Sequence, residues 1–429
     1  EGKNNFLKTE EFSFHRPKFC KGQRMSNTAQ AAAPQRLISK SGIVSWMTTK
    51  TATIIPATDW RMQLKKYGYL VVLLPAILWP MSISLWESNG ANSDLWFFFP
   101  LFFVFGIIPI LDHLVGKDPF NPNEEMDVPS MSAEKWYPFL TILTLPVMLA
   151  NVTYAGFLFV DDRIGLLGQF GIVISTGVIM GIVCINVGHE LIHKDSKIEQ
   201  WTGGLLLALV TYAGFKVEHV RGHHVHVSTP DDASSSRYNQ TLYQFLPHAY
   251  WHNFKNAWVL EAAKLRRKNQ PIVSWHNELI WWYSISALLA VASGVLWGWE
   301  GVVFFVAQSF FAFTLLEIVN YIEHYGLHRR KLENGRYERT TPAHSWNSNY
   351  LLTNLLLVQL QRHSDHHANP KRRYQVLRHY DESPQLPGGY ATMVVLAIVP
   401  PLWFKVMNPR VEAYYKGEEY QLNNDQLSK

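Results

Sequence analysis

Ile164–Lys194 reads IGLLGQFGIVISTGVIMGIVCINVGHELIHK. From Ile164 to Val187 it carries no charged side chain, which is enough helix to cross a bilayer core needing about 20 apolar residues. The run then delivers HELIHK, where His189 and His193 stand four apart and share one helical face. Asn186 lies on that face and is placed to orient a ligand, and Glu190 sits beside it. An apolar helix that ends in two imidazoles predicts a membrane bundle with a polar site at one end.

Five more apolar runs extend this reading, at about Tyr67–Trp86, Leu95–Leu111, Trp136–Val160, Leu279–Trp299 and Val302–Asn320. Tryptophan and tyrosine cluster at their ends, as an interfacial belt requires. The expected fold is all-α and integral to the membrane, with six transmembrane helices. Two shorter stretches, Leu205–Phe215 and Tyr390–Phe404, are expected to pack against the bundle or lie at the interface. Residues 234–270 and 329–349 are polar and predict a cytoplasmic cap of helices and loops. Residues 61–415 thus form the membrane-embedded domain. Residues 1–60 and 416–429 read as polar tails, the first disordered and without signal-peptide character. The chain begins with Glu1, and Met25 or Met47 is a possible natural start.

The short loops after the first, third and fifth runs hold only Arg163 as a basic residue. Lys65, Lys66, Lys264, Arg266, Arg267, Lys268, Arg329, Arg330, Lys331, Lys371, Arg372 and Arg373 fall on the other side, which the positive-inside rule makes cytoplasmic. The net charge of +5 therefore reflects a membrane and not nucleic acid. In a bacterium the membrane would be the inner one.

Three further runs repeat the histidine theme: EHVRGHH (218–224), NYIEHYGL (320–327) and LQRHSDHHANP (360–370). The windows 189–193, 219–224 and 363–367 hold eight of the eighteen histidines, a density that calls for metal. With His324 the candidate ligands are His189, His193, His219, His223, His224, His324, His363, His366 and His367. An even number of crossings precedes each, so all nine can converge. Nine ligands exceed the four that saturate a tetrahedral zinc, which favours two metals.

Gly222 is expected to let the backbone turn so that its neighbouring histidines face one centre. Glu190, Glu218, Glu323 and Asp365 are expected to offset metal charge and accept imidazole N–H groups from behind. Glu317, Asn320 and His324 recur on one helical stripe, and Glu317 is an intramembrane carboxylate, costly to bury alone. His226, His328 and His344 fall off the ligand spacing and read as outer residues, while His15, His113, His248, His252, His276 and His379 lack partner spacing. No side chain outside the metal centre is assigned a catalytic role.

The two cysteines, Cys20 and Cys184, exclude an iron–sulfur cluster or a fused rubredoxin. With no nucleotide-binding glycine motif either, electrons must come from a partner. HELIHK alone would suggest a zinc protease with Glu190 as base, and histidines in a bundle would suggest a transporter. Neither accounts for nine histidines at one end of the helices.

The four histidine runs, in this order on six apolar segments, resemble the integral-membrane alkane 1-monooxygenase (alkane hydroxylase, AlkB) family. The resemblance extends from about Tyr67 to Met407 and includes IIPILD (107–112), STPDDASSSR (228–237), ENGRYE (333–338) and HSWNSN (344–349). Ile192 stands where that family usually has a small residue. Three of the runs are shared with fatty-acyl desaturases, and xylene and related aryl-methyl hydroxylases carry a near relative of NYIEHYGL. The resemblance implies two iron ions in a non-haem di-iron site and O2-dependent hydroxylation of n-alkanes to 1-alkanols. It also implies electrons from rubredoxin, fed by an NADH-dependent rubredoxin reductase and docked on the basic side. A terminal C–H bond has no acid–base handle, so a redox metal must do the hard step and the protein must position the chain. Ile185 and Ile182, one and two turns into the membrane from His189, and Phe313, similarly below His324, are expected to line an apolar channel.

Overall fold

A computed structural model of the chain describes residues 53–91 and 93–415. The C-terminal tail, most of the N-terminal one, and with them His15, Cys20, Met25 and Met47 lie outside the described residues. The N-terminal end of the fold lies earlier than residue 61. Thr53–Ile54 pairs in parallel with Phe120–Asn121, Ile55 is buried, and Asp59 caps the first helix by accepting the Arg61 N–H at 2.9 Å.

Among the described residues, five helices are long and apolar enough to cross a membrane: Trp60–Ser88, Asp94–Val115, Val128–Phe159, Leu166–Ile192 and Glu278–His324. Protein buries 89% of the most apolar window of Leu166–Ile192 but only 22–44% in the others. The helix that carries HELIHK is therefore the central one, and the rest leave apolar side chains on the outside.

Glu278–His324 has 47 residues. A straight helix of that length would measure about 70 Å, more than twice a bilayer core. It is broken at Gly298, whose φ of 70° and ψ of −167° suit a residue without Cβ. Beyond the break the chain folds back, since a Cβ on Gly301 would lie 2.4 Å from the Ser293 carbonyl oxygen, whereas residues eight apart in a straight helix are separated by about 12 Å. The expected fifth and sixth runs are its two arms.

The second arm packs on the central helix through small residues. A Cβ on Gly177 would meet Phe311 Cβ at 2.4 Å and the Gln308 carbonyl at 2.8 Å, and one on Gly181 would meet the Ala312 carbonyl at 3.0 Å. Backbones this close bring the ends of the two helices, and with them His189 and His324, to the same place.

The shorter apolar stretches pack inward as expected. Lys197–Ala208 and the turn after it bury Leu206, Leu207, Leu209 and Val210, and the helices Tyr390–Ala397 and Pro400–Tyr414 bury Met393, Trp403 and Met407.

The last histidine run is anchored by a buried ion network. Arg362, fully buried, donates Nε to Asn349 Oδ1 (3.1 Å), Nη1 to Asn121 Oδ1 (3.1 Å) and the Leu377 carbonyl (2.7 Å), and Nη2 to the Phe120 carbonyl (3.1 Å). Nη2 also lies 2.9 Å from Asp118 Oδ2. These contacts match the five N–H groups of a guanidinium. Asp118 also takes Lys65 Nζ at 2.6 Å. Burial opposes ionisation of Asp118, but Lys65 and Arg362 outweigh it and hold the carboxyl below its ordinary value. Asp118→Asn would leave two buried cations without their anion and should cost about 3–5 kcal/mol. Chemical denaturation in detergent checks this, with Lys371→Ala at the exposed Lys371–Asp195 pair giving no measurable change.

Candidate metal centre

The central helix widens into a π turn at Gly181–Ile185 before Asn186–Ile192, and His193 follows its last residue. A second π turn, His219–His223, interrupts the segment between Phe215–Glu218 and His224–His226. Hydrogen bonds in a π turn run over five residues, so His219 and His224 meet, Nε2 to Nε2, at 3.0 Å. Gly222 has no left-handed φ and does not make the turn expected of it. It provides room, because a Cβ there would lie 2.4 Å from Glu218 Oε1 and 2.8 Å from Asn256 Nδ2.

All nine singled-out histidines come together in two groups. His189, His193, His219, His224 and His366 form one, and His223, His324, His363 and His367 the other. Within each group the ligand atoms lie within 4.8 Å of one another. Nε2 of His224 is 3.1 Å from that of His366, His223 is 3.3 Å from His367, and His367 is 2.9 Å from His363. Nitrogens on adjacent positions of one ion, bonded at about 2.1 Å, would sit about 3.0 Å apart. Nε2 of His189, His193 and His324 is buried without a hydrogen-bond partner. The donor set therefore fits metal ions.

Burial, followed by mutual proximity, pushes His193, His219, His224, His363, His366 and His367 well below the ordinary imidazole value. They stay neutral at pH 7, the form that ligates. His223 is different: burial lowers it, but Asp232 outweighs burial and the net shift is upward. Its Nδ1 lies 3.0 Å from Asp232 Oδ2, which also accepts from Ser235 Oγ at 2.6 Å. This fixes the ring with Nε2 toward the centre.

The expected carboxylates divide. Glu323 Oε2 is 3.0 Å from His363 Nε2, the nitrogen that faces His367, so Glu323 stands among the ligand atoms and not behind a ring. Tyr390 donates to its other oxygen at 2.7 Å. Glu190 pairs with Lys194 at 2.9 Å and accepts the Tyr374 N–H at 3.1 Å. Glu218 accepts from Asn256 at 3.2 Å, and burial pushes its carboxyl up to about 8. Asp365 accepts the Arg378 N–H and Asn369 Nδ2, each at 2.8 Å. Glu317 takes the Tyr212 hydroxyl, Asn253 and Asn320. Among the described residues, only Glu323 of this set meets a site imidazole.

An apolar cavity runs from the helices to the histidines. Ile182, Ile185, Leu315, Leu316 and Val319 line its length, and Asn186, His189, His219, Asn320, Glu323 and His363 line it where it meets the centre. Phe313 is not part of it. It stacks on Tyr212, with ring centroids 5.0 Å apart, and faces a separate cavity with Tyr250 and Asn253. Rotation along the helix explains the correction, because residues 315, 316, 319 and 323 face the central cavity while Phe313 and Glu317 face Tyr212.

The fatty acid desaturase family matches residues 165–397 of the chain, a span that includes all nine histidines. Alkane 1-monooxygenase 2 of Alcanivorax borkumensis is 64% identical over 370 residues, covering 86% of this chain and 96% of that protein. Alkane 1-monooxygenase 2 of Pseudomonas aeruginosa is 60% identical over 372 residues, 86% and 98%. Alkane 1-monooxygenase 1 of the same organism is 57% identical over 366 residues, 85% and 96%. The chain belongs to the alkane 1-monooxygenase family.

In this alkane 1-monooxygenase family member, several site residues escape sequence reasoning. Asp232 belongs to STPDDASSSR, but no spacing rule ties it to His223. Tyr390, Leu356 and Leu360 join the cavity from late segments. Val104 and Ile108 come from the helix that carries IIPILD. The outer histidines remain outside both groups: His344 offers its carbonyl to His324 Nδ1 at 3.4 Å, and His379 pairs with Asp381 at 3.3 Å. Asp232→Asn is expected to weaken metal retention about 10–100-fold, read by metal content after competition with a chelator, while the exposed neighbour change Asp231→Asn leaves it unaltered.

Proposed function

We propose that this protein hydroxylates the terminal carbon of n-alkanes with O2, giving 1-alkanols, at a non-haem di-iron centre held by the nine histidines. The observation that carries this is the apolar cavity, lined along its length by Ile182, Ile185, Leu315 and Leu316 and ending on two groups of imidazoles, all but His224 buried. A hydrocarbon offers no hydrogen bond, so the cavity can only exclude water and aim one end. Iron bound by these residues would supply the oxidation of an unactivated C–H bond that no side chain can perform. Two sets, of five and four imidazoles, support two ions over one. Glu323, held by Tyr390, would bring negative charge beside the ions and offset part of theirs.

The two arms of Glu278–His324 are read as separate crossings, which makes six and places all histidines on one side. The basic loops assign that side to the cytoplasm, in the inner membrane of a bacterium. Electrons come from rubredoxin and an NADH-dependent reductase, because the two cysteines cannot build a carrier here. The expected domain of residues 61–415, extended at its start to the strand Thr53–Ile54, is the catalytic membrane domain.

The fatty acid desaturase match favours a second reading, desaturation of a fatty-acyl chain. A zinc protease is disfavoured because Glu190, its required base, is paired with Lys194. The test is product analysis with iron, rubredoxin, reductase and NADH, offering octane, a fatty-acyl thioester and xylene. We expect 1-octanol and about two irons per chain; a desaturated or benzylic product without 1-octanol overturns the proposal. Ile182→Trp fills the cavity below His189 and should shorten the longest alkane accepted, seen as a truncated product profile across a chain-length series.

A further inference from the structure

Beside the His219–His223 turn, lined by its Val220 and Arg221, lies a second and polar pocket. Its basic residues are Lys197, Lys216, Arg221 and Lys264. Two carboxylates answer them. Glu261, fully buried, takes Arg221 Nη1 at 2.6 Å and Lys264 at 2.9 Å, and Glu278 takes Lys216 at 2.8 Å and Lys264 at 3.0 Å, with Arg221 Nη2 also bound. Four cations against two anions leave two positive charges. Lys216 makes one hydrogen bond, to Glu278, with three donors available, and Arg221 makes two, to Glu261 and Glu278, with five, so N–H groups remain for another acceptor.

The position of the pocket indicates its ligand. Glu278 opens an apolar helix, so the pocket lies at the level where a bilayer meets water. Trp201, Trp281 and Trp282 form its apolar wall, with centroids 4.7–5.2 Å apart, and Lys216 Nζ lies 5.3 Å from the Trp282 ring. Trp201 and Ile198 are exposed, which gives an acyl chain a surface beside the charged groups. Surplus positive charge between helix ends beside interfacial tryptophans is the chemistry of an anionic headgroup site.

We infer that this pocket binds the phosphate headgroup of an anionic phospholipid. The headgroup takes the free N–H groups of Lys216 and Arg221, with Lys197 at the rim, while its chains lie against Trp201 and Ile198. Arg221 is part of the same π turn as His219 and His223, so a bound headgroup braces the segment that presents two of the imidazoles. The inference requires only that the apolar helices cross a membrane, whatever reaction the histidines serve.

Full-length protein in detergent, exposed to equal amounts of dioleoyl phosphatidylglycerol and phosphatidylcholine, is assayed by native mass spectrometry for retained lipid. Preferential retention of phosphatidylglycerol is expected. The double change Lys197→Gln and Lys216→Gln leaves Glu278 paired with Arg221 and Lys264, and should reduce that retention on the order of tenfold without changing phosphatidylcholine. Lys197→Gln alone, at an exposed position, should reduce it by about threefold to fivefold and keeps the test valid if the double variant does not fold. Equal retention of the two lipids, or an undiminished preference in Lys197→Gln, overturns the inference. So does displacement of phosphatidylglycerol by an equal concentration of inorganic phosphate, which would identify a free-anion site.

Discussion

Neutral imidazole nitrogens 2.9–3.1 Å apart cannot all donate to one another, because each ring has one proton and its other nitrogen is an acceptor. Lone pairs that converge in this way repel one another, and shared positive charge removes that cost. The rest of the structure meets that constraint. It brings four separate sequence runs to one place, removes water from them, and supplies negative charge where rings must be oriented.

Close helix packing does the first of these. Gly177 and Gly181 let the central helix touch the second arm of Glu278–His324, and the reversal at Gly298 returns that arm so that His324 reaches the histidine centre that His189 also enters. A straight helix would put these two histidines far apart. The Arg362 network does the same for the last run. Its guanidinium is tied to Asp118, to two asparagines and to the carbonyls of Phe120 and Leu377, so His363 starts from a fixed backbone.

Charge compensation is selective. Among the acidic residues described near the histidines, Asp232 orients a ring and Glu323 stands among the ligand atoms, whereas Glu190, Glu218, Asp365 and Glu317 hold neighbouring segments together. Rings with neutral nitrogens at the mouth of an apolar cavity combine two environments that rarely adjoin.

The sequence by itself determined the membrane class, the number of apolar runs and the identity of all nine histidines. These depend on run length, and on spacings of three and four residues that share a helical face whatever surrounds them. The tertiary structure alone decided the π turn that sets His219 on His224, the role of Gly222 as space, the partners of each carboxylate and the exclusion of Phe313 from the cavity. Asp232 and His223 are nine residues apart, and Glu323 and His363 forty. No local periodicity links such pairs. Their contact arises from how helices cross and where backbones approach, which depends on packing across the whole bundle.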